Sequence, residues 1–129
     1  MAAYIYPNTY VTRVIDGDTV VLDIDFGFKL WQRQITSRLA GINAPEMATA
    51  AGLLARQALL NLLGPLPAQL TLRSVRDTSD KYGRYLAVLI RADGTNLNEA
   101  MVTLGHAVPY PPKVTPGAVL PSEPDPDAQ

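Results

Sequence analysis

Three short polar clusters interrupt the apolar stretches of this sequence, and each combines residue types that handle phosphate or a metal ion. The stretch Arg38-Leu-Ala-Gly-Ile-Asn-Ala-Pro-Glu46 places an arginine, an amide and a carboxylate close together. Asp16-Gly-Asp-Thr19 lies upstream of it, and Asp80-Lys-Tyr-Gly-Arg84 lies downstream. Together the clusters supply two arginines, a carboxylate suited to a metal and a candidate general base. This set suits cleavage of a phosphodiester, because planar arginine forks match phosphate oxygens and hard cations prefer oxygen ligands.

The composition excludes several other kinds of chemistry. The chain has 129 residues, 47% of them hydrophobic, which suits one domain with a modest core and not a wholly disordered chain. The absence of cysteine removes disulfides and thiolate zinc sites, and the single histidine, His106, removes histidine-cluster metal sites. We expect His106 to be a solvated side chain or a favourable cation near a helix end. A carboxylate base is therefore favoured for hydrolytic chemistry.

The charge is distributed unevenly along the chain. The net charge of -1 does not by itself indicate a nucleic-acid-binding protein. Residues 111–129 carry Lys113 against Glu123, Asp125 and Asp127, so residues 1–110 have a slight basic excess. Affinity for a polyanion would then come from a local cleft and a bound cation. The N-terminus has no basic region or long apolar run, so the sequence predicts no signal peptide, no membrane span and a cytoplasmic monomer.

Alternating apolar and polar residues predict five strands. The Asp16-Gly17 pair predicts a hairpin turn after the first strand, and Pro45 ends the third strand region because its ring has no N–H for a ladder. We expect Leu30, Ile35 and Leu39 to be available to the core. The predicted strands cover residues 10–15, 19–24, 30–40, 69–75 and 84–90.

Two helices are predicted between and after these strands. The first begins at Thr49 or Ala50 and ends near Leu63, where Gly64-Pro65 stops it. The second is capped by Asn96, runs to about Leu104 and is closed by Gly105. The core face of the first helix is expected to consist of Leu53, Leu54, Ala58 and Leu62.

The order β-β-β-α-β-β-α predicts the fold class. Three consecutive strands with short links form a meander, and a strongly twisted meander can curl into a barrel. The prediction is an α+β fold, mostly β: a five-stranded OB-like barrel with two packed helices. We expect this domain to occupy residues 1–110. Residues 111–129 are rich in proline and acidic groups, which predicts an extended or disordered tail.

The polar clusters resemble the staphylococcal nuclease (thermonuclease) family. Three blocks occur in the family's order: Val14-Ile-Asp-Gly-Asp-Thr-Val20, the Arg38–Glu46 stretch and the Asp80–Arg84 stretch. A looser match follows at residues 97–105, and the resemblance covers about residues 9–110. It implies a calcium-dependent phosphodiesterase that acts on DNA and RNA, with single-stranded substrate favoured.

The resemblance also implies a metal site. In this interpretation Asp18 is a calcium carboxylate, and Ala44 offers its backbone carbonyl to the ion. Asn43 stands where the family usually has a second carboxylate ligand. Carboxylate, amide and carbonyl oxygens are all ligands that Ca²⁺ accepts.

The catalytic and substrate-binding roles follow from the same resemblance. Glu46 would orient or deprotonate the attacking water, while Arg38 and Arg84 would hold the phosphate and stabilise charge on its oxygens. The positions that would contact substrate are Lys81, Tyr82 and Tyr110.

Simpler structural interpretations stay open for these residues. Asp16 and Asp18 could serve only the turn, and Asn43 could cap the turn that follows it. Glu46 could be a helix-start carboxylate favoured by the dipole. The two arginines could form structural ion pairs. Trp31 could be a stacking platform for bases, although packing is favoured.

An alternative function also stays open for the whole chain. It could be a nuclease-like module without catalysis that binds single-stranded nucleic acid or a protein partner. Asn43 favours this alternative because it lacks the charge of a carboxylate. The presence of Glu46 between two arginines argues against it, since a pure binding module has no need of a base there.

Overall fold

The helix boundaries follow the cap residues closely, whereas the first strand begins at Ala3, seven residues before its predicted start at Tyr10. The structure, a computed structural model, describes residues 3–76 and 85–110. Thr49 and Asn96 are the N-caps of the two helices, and each side chain accepts a hydrogen bond from a backbone N–H three residues later. The elements in chain order are β1 Ala3–Asp16, β2 Thr19–Asp25, β3 Trp31–Arg38, β4 Ile42–Asn43, α1 Ala50–Leu63, β5 Ala68–Arg76, β6 Tyr85–Ile90, α2 Leu97–Thr103 and β7 Val108–Pro109.

Five of the strands form one antiparallel sheet in the order β3-β2-β1-β5-β6. Within the described residues, its edge strands meet at an isolated bridge between Leu39 and Ala87, where the Ala40 N–H donates to the Ala87 carbonyl at 2.8 Å. The sheet therefore curls without closing through a continuous ladder. The predicted α+β, mostly β fold with five main strands and two helices is confirmed. The short pair β4 and β7 was not predicted.

The core lies between the curled sheet and the two helices. Val14, Val20, Leu22, Leu39 and Leu59 are almost completely buried there. These residues join β1, β2, the end of β3 and α1 into one apolar cluster that also includes Leu89, Leu97 and Met101.

The predicted core face of α1 was partly wrong. Leu53 and Leu54 are 56% and 61% exposed, whereas the buried residues of α1 are Gly52, Ala55 and Leu59. The buried residues are three and four positions apart and therefore lie on one face of α1. Leu53 and Leu54 lie outside that face. Small residues face the sheet because α1 lies close to it. Ala58 and Leu62 are partly buried against the core.

The prediction for the third strand also needs one correction. Leu39 is buried and Ile35 packs against the core, as expected. Leu30 is 60% exposed, because it belongs to the hairpin turn and not to β3. Its N–H donates to the Gly27 carbonyl, and its own carbonyl accepts from the Phe26 N–H, both at 2.8 Å.

The buried Asn98 of α2 bridges the segment after β3 and strand β6, where the two edges of the sheet meet. Its side-chain N–H₂ group donates to the carbonyls of Ala40 and Ala87, both at 2.9 Å, and its oxygen accepts from the Leu89 N–H at 3.1 Å. The amide is therefore fully engaged, as a buried polar group must be. It fixes α2, β6 and the turn after Arg38 relative to one another.

Neither helix in the described part of the chain is long and apolar enough to cross a membrane. The predicted tail at residues 111–129 lies outside the described residues.

Candidate active site

The turn between β1 and β2 is seated tightly against the loop after β4 and against α1. A Cβ atom at Gly17 would lie 2.8 Å from the Cβ atoms of both Ala44 and Ala55. Only glycine allows this approach, so Gly17 positions the neighbouring Asp18. The Asp18 N–H donates to the Asp16 carboxylate at 3.2 Å, which is the turn role predicted for Asp16.

The Asp18 carboxylate is almost buried and accepts several hydrogen bonds. Thr19 Oγ1 donates to Oδ1 at 3.0 Å, and the Ala44 N–H donates to Oδ2 at 2.9 Å. Arg38 Nη2 lies 3.4 Å from the same Oδ2. Burial by itself would raise the pKa of Asp18, but these bonds, contact with Asp16 and the Arg38 charge lower it below its usual value. Burial, followed by the nearby Asp18, raises the pKa of Asp16.

A single nitrogen of Arg38 lies among three oxygens. Nη2 donates to Asn43 Oδ1 at 2.9 Å and to the Ile42 carbonyl at 3.1 Å, in addition to its contact with Asp18. The Arg38 side chain is 37% exposed, so part of the guanidinium faces solvent. The predicted ion pair of Arg38 is therefore present, and it joins two of the predicted metal ligands.

The short pair of β4 and β7 brings Tyr110 to this cluster. Asn43 pairs with Val108, and the Tyr110 N–H donates to the Gly41 carbonyl at 2.8 Å. The Arg38 Cζ atom lies 5.3 Å from the centroid of the Tyr110 ring, a cation–π contact. Tyr110 is 53% exposed and can therefore offer ring surface beside Arg38.

Glu46 is exposed, and its backbone is fixed by the start of α1. Its carbonyl accepts from the Thr49 N–H at 3.0 Å and from Thr49 Oγ1 at 2.7 Å. A Cβ atom at Gly52 would lie 1.9 Å from the same carbonyl oxygen, so a glycine is required where α1 passes this loop. Within residues 3–76 and 85–110 the Glu46 carboxylate has no hydrogen-bond partner. It is available to water.

A cavity of about 250 Å³ lies beside Asn43. It is lined by Asn43, Ala44, Pro45 and the segment from Gly105 to Val108, which includes His106. His106 thus lies near the site and follows α2 closely. The structure brings together Asp18, Arg38, Asn43, Ala44 and Tyr110, while the predicted Lys81, Tyr82 and Arg84 lie outside the described residues.

Comparison with known proteins assigns the family. Residues 36–118 match the family model "Staphylococcal nuclease homologue". The chain belongs to this family. The match begins in β3 and includes Arg38 and Ala44, which contact Asp18 in the structure, together with Asn43 and Glu46.

Some of the curated relatives that this chain matches carry nuclease names. A "Micrococcal nuclease" of Shigella flexneri is 35% identical over 108 residues, covering 78% of this chain and 56% of that protein. An "Uncharacterized endonuclease" of Escherichia coli is 33% identical over 101 residues, covering 78% and 59%. "Protein ParB" of Escherichia coli is 36% identical over 108 residues, covering 78% and 55%. The chain spans little more than half the length of the curated relatives it matches.

The oxygens around Arg38 Nη2 are of the kinds that a hard cation accepts as ligands. Asp18, Asn43 and the Ile42 carbonyl direct oxygens at one cationic nitrogen of Arg38, which shows that the pocket favours positive charge. The described residues contain no group of three or more His, Cys, Asp or Glu side chains that could hold a metal. The Ile42 carbonyl was missed from the sequence, since a backbone oxygen leaves no residue-type signal.

Proposed function

We propose that this chain is a nuclease that hydrolyses phosphodiester bonds in DNA or RNA with the help of Ca²⁺. The observation that carries the proposal is the convergence of Asp18 and Asn43 on Arg38. Glu46 follows three residues after Asn43, is exposed, and its carboxylate has no hydrogen-bond partner among the described residues. Family membership supports the same conclusion. Two nuclease-named relatives support it further, although the chain spans only part of their length.

Arg38 is the phosphate-binding group in this proposal. The N–H groups on the exposed side of its guanidinium can donate to a phosphate oxygen, while Nη2 stays with its three protein oxygens. Those contacts fix the fork before substrate arrives, so little ordering is required during the reaction. Arg84 is the second phosphate-binding group, with Lys81 and Tyr82 in contact with substrate. Tyr110 offers a ring to a base beside Arg38.

Glu46 is the general base. Its carboxylate is exposed, whereas its backbone is fixed by Thr49 and by the close approach of Gly52. A carboxylate with no partner among the described residues can accept a proton from water, and a fixed backbone limits the positions it explores. The sequence contains a single histidine, His106, so few other side chains could act as the base.

Asp18, Asn43 and backbone carbonyls, including that of Ala44, would hold the calcium ion. The lowered pKa of Asp18 keeps this carboxylate charged at neutral pH, as a metal ligand must be. A bound Ca²⁺ would supply positive charge to the phosphate oxygens during hydrolysis.

The decisive experiment is cleavage of denatured DNA and RNA by the full chain with Ca²⁺, with Mg²⁺ and with chelator. We expect cleavage with Ca²⁺ and none with chelator. Glu46→Gln is the matched control, because it keeps the size of the side chain and should lower the rate about 10²–10⁴-fold. Equal rates for Glu46→Gln and wild type would assign the activity to a contaminant.

The second candidate function is a binding module without catalysis. The observation that favours it is the amide at position 43, which leaves Asp18 as the one carboxylate in contact with Arg38 among the described residues. Under this alternative the Arg38 fork and Tyr110 would hold nucleic acid in the absence of metal. Retained binding in chelator together with no cleavage at millimolar Ca²⁺ would favour it over the nuclease.

A further inference from the structure

A second cluster of aromatic and basic side chains lies on the outer face of β1, β2 and β3. In the sheet register Tyr10 pairs with Asp23, and Asp25 pairs with Trp31. Paired residues share a face and successive residues alternate, so these side chains lie opposite the buried Ile24. None of them belongs to the site around Asp18.

Trp31 is the centre of this cluster. The Arg33 Cζ atom lies 4.4 Å from the Trp31 ring centroid, and the Tyr10 ring lies 6.2 Å away at a 30° tilt. Arg33 Nη1 donates to Asp23 at 3.1 Å, yet the Arg33 side chain is 60% exposed. Among the described residues its other N–H groups have no partner. Trp31 therefore packs against Tyr10 and Arg33 on the outer face of the sheet, and this stacked unit has an open outer side.

The turn between β2 and β3, next to Trp31, contains a phenylalanine side chain that is fully exposed to solvent. Phe28 is completely exposed, and both Phe28 and Lys29 have left-handed backbone angles, with φ of 54° and 63°. Such angles are unfavourable for bulky residues. Two backbone hydrogen bonds across the turn, between Phe26, Gly27 and Leu30, hold this geometry. Burial in the core does not explain an aromatic residue kept out in this way.

Basic residues connect the cluster to the candidate active site. Three arginines of the neighbouring strands lie next to alternate positions of β2. Arg33 of β3 bonds to Asp23, Arg13 of β1 pairs with Val21, and Arg38 of β3 pairs with Thr19. The positions on β2 are two residues apart and therefore share one face. Arg13 is exposed and has no hydrogen-bond partner within the part of the chain that the structure describes.

The acidic groups on this face are already bonded. Asp23 accepts from Arg33 and from the Gln34 N–H, and Asp25 accepts from Asn8 and from the Gly27 N–H. These contacts leave the outward-facing guanidinium groups as the groups open to a ligand. The chemistry of the face is thus aromatic surface with available arginine N–H groups.

We propose that this outer face is a second contact surface for single-stranded nucleic acid, continuous with the candidate active site. Unpaired bases would stack on the Trp31–Arg33 unit and on Phe28, and phosphates would meet Arg33 and Arg13. A single strand is favoured over a duplex because stacking on a protein ring needs an unpaired base. The inference rests on the proposed nuclease function, since the strand would lead to Arg38.

The geometry sets a length requirement on the ligand. β2 runs from Thr19 beside Arg38 to Asp25 beside Trp31, and six steps at about 3.3 Å give roughly 20 Å between the two ends. A dinucleotide would therefore occupy only the candidate active site. An oligonucleotide of about 12 nucleotides, within the usual site size for such folds, would reach both.

The chain carries its own probe for this surface, because Trp31 is its one tryptophan. The test uses the full-length Glu46→Gln protein in chelator, so that no cleavage occurs, and titrates it with oligodeoxythymidylate. We expect the 12-mer to quench Trp31 fluorescence, and we expect the dinucleotide to leave it unchanged. A duplex of equal length should quench much less.

Variants then test the surface itself. Phe28→Ala removes a fully exposed ring, does not disturb the core and should weaken 12-mer binding about fivefold or more. Arg13→Gln should lower the dependence of log K on log salt by about 0.7. Arg91→Gln is the control, since it removes the same charge directly after β6, a strand that does not belong to this face. We expect it to leave 12-mer binding unchanged.

The outcomes separate this inference from the nuclease proposal. Unchanged Trp31 fluorescence with the 12-mer, in a wild type that cleaves DNA, overturns the second surface and leaves the nuclease intact. Equal effects of Arg13→Gln and Arg91→Gln overturn it as well, because the charge effect would then be non-specific. Length-dependent quenching together with a wild type that does not cleave DNA or RNA supports the second contact surface and contradicts the proposed nuclease function.

Discussion

Arg38 Nη2 lies 2.9 Å from Asn43 Oδ1, closer than its 3.4 Å contact with the charged Asp18. The neutral amide thus makes the shorter bond of the two. An aspartate at position 43 would place a second negative charge at this point. The choice between amide and carboxylate therefore decides how strongly the cluster attracts a cation.

We expect Asn43→Asp to raise calcium affinity by about ten- to a hundredfold, or about 1.4–2.8 kcal/mol, because calcium affinity rises with the number of charged ligands. Calorimetric titration of both proteins with Ca²⁺ measures the change. Asn43→Ala is the companion variant and should bind more weakly than wild type, since it removes the oxygen. Equal affinities for all three proteins would remove residue 43 from the ligand set.

Replacement of Arg38 by lysine tests its geometry separately from its charge. Lysine carries the charge on a compact ammonium and cannot both hold the Asn43 and Ile42 oxygens and present a fork to phosphate. We expect Arg38→Lys to reduce kcat about 10²–10³-fold while the fold is kept. Steady-state kinetics beside circular dichroism measures both. A folded Arg38→Lys protein with wild-type kcat would show that only the charge matters.

Gly52→Ala should disturb the loop that carries Glu46. Alanine normally stabilises a helix by about 1 kcal/mol relative to glycine. Here its Cβ would lie 1.9 Å from the Glu46 carbonyl oxygen, so the loop or α1 must move. We expect a loss of about 1–3 kcal/mol in the free energy of unfolding together with reduced kcat.

The control for this variant is Ala51→Gly at the adjacent exposed position of α1. It should cost about 1 kcal/mol and leave kcat unchanged. Denaturant unfolding and cleavage rates compare the two proteins. A Gly52→Ala protein that gains stability and keeps its kcat would contradict the close approach of α1 to the Glu46 loop.

The link between β6 and α2 predicts a pH dependence of stability. Hydrogen bonds from the Arg91 side chain, at 2.8 Å, and from the Thr95 N–H, at 3.0 Å, hold the pKa of Asp93 well below its usual value. A depressed folded pKa stabilises the fold at pH values above the unfolded pKa of about 3.9. This contribution is lost as the pH falls through the folded pKa.

We therefore expect wild type to melt above Asp93→Asn at neutral pH, and the difference in Tm to shrink once the pH falls below about 4. Thermal melts of both proteins at several pH values provide the measurement. Glu99→Gln, at an exposed position of α2, serves as the control for loss of one carboxylate. A Tm difference that stays constant with pH would exclude Asp93 as its source.

We expect the chain to tolerate removal of the residues after Pro112. The segment that would be removed contains few aliphatic side chains, Val114, Val119 and Leu120, so it can bury little apolar surface. The shortened protein should keep its Tm and its activity, with slightly easier substrate approach at low salt because three acids and one lysine are lost. A Tm lower by more than a few degrees would show that the tail packs on the domain.

The main strands and helices were predictable because local signals agree with the tertiary structure. Asp16-Gly17, Thr49, Gly64 and Asn96 mark the element ends, and alternation in β5 marks its buried face. The pair β4 and β7 was not predictable, since two-residue strands have no periodicity. Its consequence, the contact of Tyr110 with Arg38, therefore needed the structure.

The site was predictable as a set of residues but not as a set of contacts. The sequence indicated Asp18, Arg38, Asn43 and Ala44, yet it did not indicate that one nitrogen of Arg38 contacts three oxygens. Nor could it indicate that Ala44 holds Asp18 through its N–H. Backbone groups carry no residue type, so their roles depend on the path of the chain.

The bonds of Asn98 determine the order in which the protein can be completed during synthesis. The carbonyls of Ala40 and Ala87 are joined by an amide that the ribosome adds only after β6. A nascent chain ending before α2 has the pairing partners of the sheet but lacks the residue that fastens its edges. Because Arg38 lies next to Leu39 at this meeting of the edges, we expect its contacts with Asp18 and Asn43 to reach their final geometry only after α2 has been synthesised.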